Sequence, residues 1–122
     1  MRLTVACFLI TSGLFAADPW TKSQVALELG YQAALLCDWR QTSDYHKTWN
    51  TNDPIIETNP LLGSHPKQST INQWCILSSV GHIAITNYLP SKRRSLWQGS
   101  TMAIEIMVVS HNQLNCKVRI NF

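Results

Sequence analysis

The feature that most constrains this chain is a run over residues 71–89 that contains no Lys, Arg, Asp or Glu. Its length matches the ~20 residues that a helix needs to cross a bilayer core, and Pro90 follows at once, where a helix is expected to stop. A second apolar run covers residues 95–112 and contains a single acid, Glu105. The basic segment 92–94 lies between the runs. The pattern predicts an all-α fold with a C-terminal transmembrane-type helical hairpin and a basic turn.

Composition favours a membrane protein over a soluble one. Hydrophobic residues make up 45% of the 122 residues, and charged residues make up 14%, below the roughly 25% that is usual in soluble domains. A chain of this length has room for one small domain. Its formal net charge of +3 comes from a few clustered cations and forms no basic stripe, so the sequence predicts no nucleic-acid partner.

Residues 1–17 have the layout of an export signal. Arg2 supplies the positive start, an apolar middle follows, and two alanines form a small-residue exit. The segment is predicted to be a cleaved signal peptide or a retained signal anchor. The second alternative stays open because Phe15 is bulkier than the residue that usually stands three positions before the cut. Residues 18–122 then form a single small helical domain.

Residues 22–39 are predicted to form an amphipathic helix. Thr21 precedes it as a capping residue, and Gln24 stands three residues later, as in a capping box. The apolar part of this helix is shorter than a bilayer crossing, so we expect it to pack on a neighbour or to lie at the interface. Residues 40–70 are rich in Asn, Pro and Gly, which predicts a long polar loop.

The distribution of cations predicts an orientation. Lys and Arg are retained on the cytoplasmic side of inserted helices, which places the basic segment 92–94 and Arg2 there. These two placements agree only if residues 22–39 do not cross the bilayer. The sequence therefore predicts a protein of the bacterial inner membrane with residues 18–70 on the periplasmic side.

Polar residues share one face of each predicted hairpin helix. Ser78, His82 and Thr86 are spaced four apart on the first helix, and Thr101 and Glu105 are spaced four apart on the second. Because a short turn makes the two helices antiparallel, His82 and Glu105 are predicted to meet inside the bundle. Two interpretations stay open: the pair only holds two helices together, or it forms a proton relay or a ligand site.

Further polar residues stand at the ends of the predicted elements and complete a candidate functional set. The set is Asp38, Gln41, Thr42, Glu57, Asn59, His65, His82, Glu105, His111 and Asn112. Its acids and histidines carry metal-binding atoms, but no HExxH, HxH or CxxC motif is present, and capping and turn formation explain most of these residues. GxSxG elbows and phosphate-binding glycine loops are also missing. The sequence predicts no metal and no cofactor, and it identifies no catalytic residue.

Three sequence elements resemble a known family. They are a D-W-x-Q-T element at residues 38–42, an E-T-N-P-L-L-G element at residues 57–63 and a closing His111-Asn112. Together they are similar to a family of small uncharacterised, membrane-associated proteins from bacteria and their phages, whose members have no assigned reaction. The positions that this resemblance marks for testing are Asp38, Gln41, Thr42, Glu57, Asn59, Pro60, Glu105, His111 and Asn112. Arg40 departs from the small residue that the family pattern leads us to expect.

Two hypotheses about function follow. The first is a small non-enzymatic membrane protein that acts at the cell envelope, or at the host envelope if it is phage-encoded, by interaction or self-association. Its partners would be membrane lipid, further copies or an envelope protein. The second is a membrane-embedded or interfacial enzyme, or a proton or metal site, that uses Glu57, His65, Glu105 and His111.

Overall fold

The computed structural model describes residues 18–47 and 59–115. Within these residues the chain forms three α-helices and no strand: α1 (Lys22–His46), α2 (Gln68–Tyr88) and α3 (Ser91–Asn115). The predicted all-α fold is confirmed. The predicted signal segment, residues 1–17, lies outside the described residues, as do residues 48–58 of the predicted loop.

α1 begins as the sequence predicts, with a capping box. The backbone N–H of Gln24 donates to Thr21 Oγ1 at 3.2 Å, and the backbone N–H of Thr21 donates to Gln24 Oε1 at 3.1 Å. These bonds satisfy amide groups that the first turn of a helix leaves without partners, so the start of α1 is fixed locally.

α1 is longer than predicted, and the predicted loop is wrong over residues 40–46, which are helical. Gln41 Nε2 donates to the carbonyl oxygen of Val109 on α3 at 3.2 Å. Ser43 Oγ accepts a hydrogen bond from Gln68 Nε2 on α2 at 3.0 Å. Contacts with the other two helices thus stabilise residues 40–46 as a helix, although their polar sequence predicts a loop.

The described part of the loop is a turn built on Asn59. Its carbonyl oxygen accepts from the N–H of Leu62 at 3.1 Å, and its Oδ1 accepts from the N–H of Leu61 at 3.0 Å. Gly63 has a φ of 76°, in the left-handed region that favours glycine. The turn is therefore where the sequence predicts one, and α2 starts at Gln68, inside the predicted loop.

The junction between α2 and α3 differs from the predicted basic turn. The carbonyl oxygen of Pro90 accepts from the N–H groups of Arg93 and Arg94 at 2.9 and 3.1 Å, so the cations lie in the first turn of α3. Only Leu89 and Pro90 connect the two helices. Lys92 and Arg93 are exposed, but Arg94 is fully buried, which leaves two cations of the segment accessible.

Arg94 joins three parts of the chain. Its Nε donates to the carbonyl oxygen of Thr86 at 2.9 Å, and one terminal nitrogen donates to that of Leu89 at 3.0 Å. The other terminal nitrogen donates to the carbonyl oxygen of Asp18 at 3.2 Å and to Gln24 Oε1 at 3.3 Å. The guanidinium thus satisfies carbonyl groups at the negative end of α2, where a cation is favourable.

α1 holds the bundle together. It runs parallel to α3 and packs on both α3 and α2, whereas α2 and α3 make few contacts with each other. Gln24 near the start of α1 donates to the carbonyl oxygen of Ser91 at 3.0 Å, and Asn112 near the end of α3 donates to Asp38 at 3.2 Å. The two C-terminal helices follow each other as predicted, but each packs chiefly on α1 and not as a closed hairpin.

The distribution of polar and apolar side chains is inverted relative to a soluble domain. The buried polar and charged residues are Gln24, Glu28, Gln41, Thr42, Ser43, His82, Thr86, Arg94 and Gln98. The buried hydrophobic residues of the described segments are Tyr31, Leu35, Ile71 and Ile83. Large apolar side chains are exposed instead: Leu77 is 68% exposed and Leu96 is 73% exposed. In soluble proteins Arg and Glu are almost never fully buried, so this interior is unusual.

In the described part of the chain, no helix combines the length and the mean hydropathy that crossing a membrane requires. The transmembrane helix predicted over residues 71–89 therefore gains no support from the structure. Asn72, Gln73 and His82 lie within that run and lower its mean hydropathy, although the run contains no charged residue.

Replacing Arg94 with Met should destabilise the bundle. The change removes the donor from several buried acceptors, and each such acceptor left without a partner costs about 1–3 kcal/mol. We expect the free energy of unfolding, measured by denaturant titration of the purified protein, to fall by about 3 kcal/mol. Arg93→Met, at the exposed neighbour, should change it by less than about 0.5 kcal/mol. Equal losses in the two variants would contradict the role assigned to Arg94.

Candidate functional site

A buried carboxylate, that of Glu28, lies between the three helices and is surrounded by donors. Its Oε1 lies 2.9 Å from His82 Nδ1 and accepts from Gln32 Nε2 at 2.8 Å. Its Oε2 accepts from Gln98 Nε2 at 3.0 Å and from the Thr86 hydroxyl at 3.5 Å. Glu28 is 1% exposed, so these contacts replace the water that a carboxylate otherwise requires.

His82 of α2 contacts both other helices. Its Nδ1 faces Glu28 on α1, and its Nε2 lies 2.7 Å from Thr101 Oγ1 on α3. Its ring stacks on that of Tyr31 with centroids 3.6 Å apart and planes inclined by 13°, and the Trp97 ring lies 5.4 Å away at 23°. These contacts fix the orientation of the imidazole. The prediction that His82 lies inside the bundle is confirmed, since it is 4% exposed.

The residues of this network meet because two helices carry polar side chains at the same helical spacing. Gln24 and Glu28 are four residues apart on α1, and Arg94 and Gln98 are four residues apart on α3. Gln98 Nε2 donates to the carbonyl oxygen of Gln24 at 3.0 Å, which joins the two stripes. Sequence reasoning missed Glu28, Arg94 and Gln98 because a polar stripe on a helix is normally assigned to solvent. The matched spacing on two helices is the signal that identifies them.

His82 and Glu105 do not form the predicted hydrogen-bonded pair. Both ring nitrogens of His82 are engaged by Glu28 and Thr101, and Glu105 makes no hydrogen bond to any described residue. The two residues lie at different distances from the junction between their helices. His82 is eight residues before Pro90 and Glu105 is fifteen residues after it. The difference of seven residues corresponds to about 10 Å along a helix axis. The two groups interact electrostatically without direct contact.

A second polar cluster lies at the end of the bundle opposite Arg94. Asn112 Nδ2 donates to Asp38 Oδ1 at 3.2 Å and to Gln41 Oε1 at 3.3 Å. Thr42 is buried beside them and, with Asp38, lines a cavity that has room for about one water molecule. The structure thus brings four of the predicted candidates together, as contacts between helices and not as a substrate-sized pocket.

The remaining candidates are scattered. His65 is exposed in the turn before α2, His111 is exposed near the end of α3, and Asn59 shapes the turn. Glu57 lies outside the described residues. In the segments that the structure describes, no three His, Cys, Asp or Glu side chains converge as possible metal ligands.

Comparisons with known proteins place no constraint on function. The chain matches no protein-family model, and no curated protein or solved structure gives a match. The resemblance to small bacterial and phage proteins therefore stays a prediction that depends on residues 38–42, 57–63 and 111–112.

A double-mutant cycle should show strong coupling between Glu28 and His82. Removing one partner leaves the other buried without its hydrogen bond, whereas removing both leaves no unpaired charge. We expect Glu28→Leu and His82→Leu each to lower the free energy of unfolding by about 3 kcal/mol, with a coupling energy of at least about 1 kcal/mol.

The matched control is the same cycle between Glu105 and His82. Because these two side chains share no hydrogen bond, their coupling energy should stay below about 0.5 kcal/mol. Additive losses for Glu28 and His82, or a larger coupling to Glu105, would show that the pairing described here is wrong.

Proposed function

We propose that this chain is a small non-enzymatic membrane protein whose three helices lie together in the apolar layer of a bilayer. It acts at the cell envelope through lateral contacts with lipid, with further copies or with another envelope protein. The observation that carries the proposal is the inverted distribution of side chains: polar groups face the interior, and large hydrophobic groups face outward.

Large apolar side chains are exposed on all three helices. The exposed side chains on the three helices include Val25, Leu29, Leu36, Ile76, Leu77, Val80, Ile85, Leu96, Ile104, Ile106, Met107 and Val108. Lipid acyl chains surround an inserted bundle and so contact the exposed side chains of all three helices.

A polar interior suits helices in lipid. Apolar side chains gain little from packing on each other there, so close approach and hydrogen bonds between helices hold a bundle together. Gly30 leaves room for the Met102 side chain of α3, whose Sδ would lie 2.6 Å from a Cβ atom at this position. Glu28 and His82 are buried between the helices, as ionisable groups in membrane proteins generally are.

The modest mean hydropathy of the individual helices agrees with this proposal. The mean is taken over all residues of a helix, so it combines the polar side chains that face the interior with the apolar side chains that face outward. The helices contain 25, 21 and 25 residues, so they extend for roughly 31–38 Å, against a hydrocarbon core of about 30 Å. Glu28, His82 and Gln98 lower these averages but face the interior. The apolar surface thus belongs to the assembled bundle and not to any single helix.

The proposed orientation differs from the one expected from sequence alone. The N–H of Ser91 donates to Asp18 Oδ2 at 3.2 Å, so the start of α1 and the junction of α2 with α3 share one end of the bundle. The exposed Lys92 and Arg93 also lie there, and the positive-inside rule assigns this end to the cytoplasm. In the inner membrane, the segment between α1 and α2 then lies on the periplasmic side. The sequence alone predicted that all of residues 18–70 lie on that side.

The alternative of an enzyme, or of a proton or metal site built on Glu57, His65, Glu105 and His111, has less support. His65 lies in the turn before α2, whereas Glu105 lies within α3. The described acids and histidines do not converge as ligands.

In bacterial cells the full chain should stay with the membranes after washing with high salt and alkaline carbonate, and it should float with lipid in a density gradient. Leu77→Lys combined with Ile104→Lys should abolish flotation. These positions are exposed and apolar on α2 and α3, and a lysine near the bilayer centre costs about 2.5–3.5 kcal/mol.

The matched control combines Gln73→Lys with Ser95→Lys, which adds the same charge at exposed polar positions of the same helices. This variant should still float with lipid. A wild-type chain that is released by carbonate would overturn the proposal, and so would equal behaviour of the two double variants.

A further inference from the structure

We propose that His82 is a proton-binding site, a buried imidazole that gains and loses a proton while the three helices keep their packing. The ligand is the proton itself. The inference depends on the contacts of the ring and not on the membrane placement proposed above, so each can fail without the other.

The Glu28 side of the ring keeps its hydrogen in both states. An ionised carboxylate only accepts hydrogen bonds, so Nδ1 of His82, 2.9 Å from Glu28 Oε1, carries the hydrogen and donates it. Gln32 and Gln98 donate to the same carboxylate and stabilise its negative charge. The exchangeable position is therefore the other ring nitrogen.

Nε2 faces the hydroxyl group of Thr101, which lies within hydrogen-bond distance of three other atoms. Thr101 Oγ1 lies 2.7 Å from His82 Nε2, 2.8 Å from the carbonyl oxygen of Trp97 and 3.1 Å from that of Gln98. A hydroxyl donates one hydrogen and also accepts, so it can complement Nε2 with or without a proton. This property distinguishes Thr101 from an acceptor such as a carbonyl group.

The two protonation states differ by the rotation of one O–H bond. When Nε2 is protonated it donates to Thr101 Oγ1, whose own hydrogen points to the carbonyl oxygen of Trp97. When the proton leaves Nε2, the Thr101 hydroxyl turns and donates to the free nitrogen. Both ring nitrogens are hydrogen-bonded in both states, and no bond between heavy atoms forms or breaks. Protonation therefore does not require the helices to separate.

Titratable groups on both neighbouring helices face the ring. They are Glu28 and Tyr31 on α1 and Glu105 on α3. Of these described groups, Glu28 alone hydrogen-bonds the imidazole, so its charge has the largest effect on proton binding. Tyr31 stacks on the ring and holds its plane, a contact that suits both the neutral and the charged imidazole.

The test is a pH titration of the ring nitrogens by NMR. The full chain is produced with isotope-labelled histidine and purified in its folded form, and the His82 signals are assigned by through-bond correlation. We expect a reversible change from a doubly protonated ring to a ring protonated at Nδ1 alone as the pH rises, with constant near-ultraviolet circular dichroism. A ring that keeps one protonation state while the protein stays folded would overturn the proposal. A titration that coincides with loss of the circular dichroism signal would do the same.

Variants at the two glutamates provide the second arm. Glu28→Gln keeps an acceptor oxygen for Nδ1 but removes the charge, so the midpoint of His82 titration should move to lower pH by about 1 unit or more. Glu105→Gln removes a charge that is not hydrogen-bonded to the ring and should cause a smaller shift. Equal shifts from the two variants would contradict the assignment of Glu28 as the partner of His82.

Discussion

The structure depends on the pairing of polar groups inside the bundle, above all on the contact between Glu28 and His82. A buried charge without a partner costs several kcal/mol, so the helices associate stably only where Glu28 meets its donors. Hydrogen bonds weaken steeply beyond about 3.5 Å, and sliding one helix by a single residue moves its side chains by about 1.5 Å along the axis. The polar interior therefore fixes the register of the three helices. Apolar side chains, which pack in many arrangements, specify register less strictly.

The same requirement explains how the chain turns between α2 and α3 with only Leu89 and Pro90 in the connection. The last carbonyl groups of a helix need donors, and Arg94 supplies them from the first turn of the next helix. Trp20 lies 5.6 Å from the guanidinium carbon and covers it. A planar guanidinium directs its donors to several carbonyl groups at once, whereas the ammonium group of lysine is a point charge at the end of a flexible chain. Arg94 of the basic segment thus has a structural role. Only Lys92 and Arg93 remain exposed to influence how the protein is oriented in a membrane.

Local features of the sequence were sufficient to predict the start of α1 and the stop before Pro90, but not which helices pack together. The capping box of α1 and the stop at Pro90 depend on neighbouring residues and were predicted. His82 was also predicted to be an interior residue, because it lies on the polar face of an apolar run. Its partner was predicted wrongly, since Glu105 belongs to the helix that is next in sequence, whereas Glu28 belongs to a helix that arrives from far along the chain. Residues 40–46 were missed for the same reason, because distant contacts make them helical.

Register alone does not account for an ionisable pair in the middle of this bundle. Ser79 with Gln32, and Asn72 with Trp39, already align α1 with α2 through neutral groups. Neutral groups supply this alignment without the cost of removing a charge from water, and replacing a buried ion pair with well-packed apolar residues is often neutral or stabilising. Glu28 and His82 therefore add a desolvation cost that alignment alone does not require. They also add an ionisable site, which neutral amides do not offer. The ionisable pair lies in the interior of the bundle, where His82 keeps a hydrogen-bond partner at each ring nitrogen in both of its protonation states.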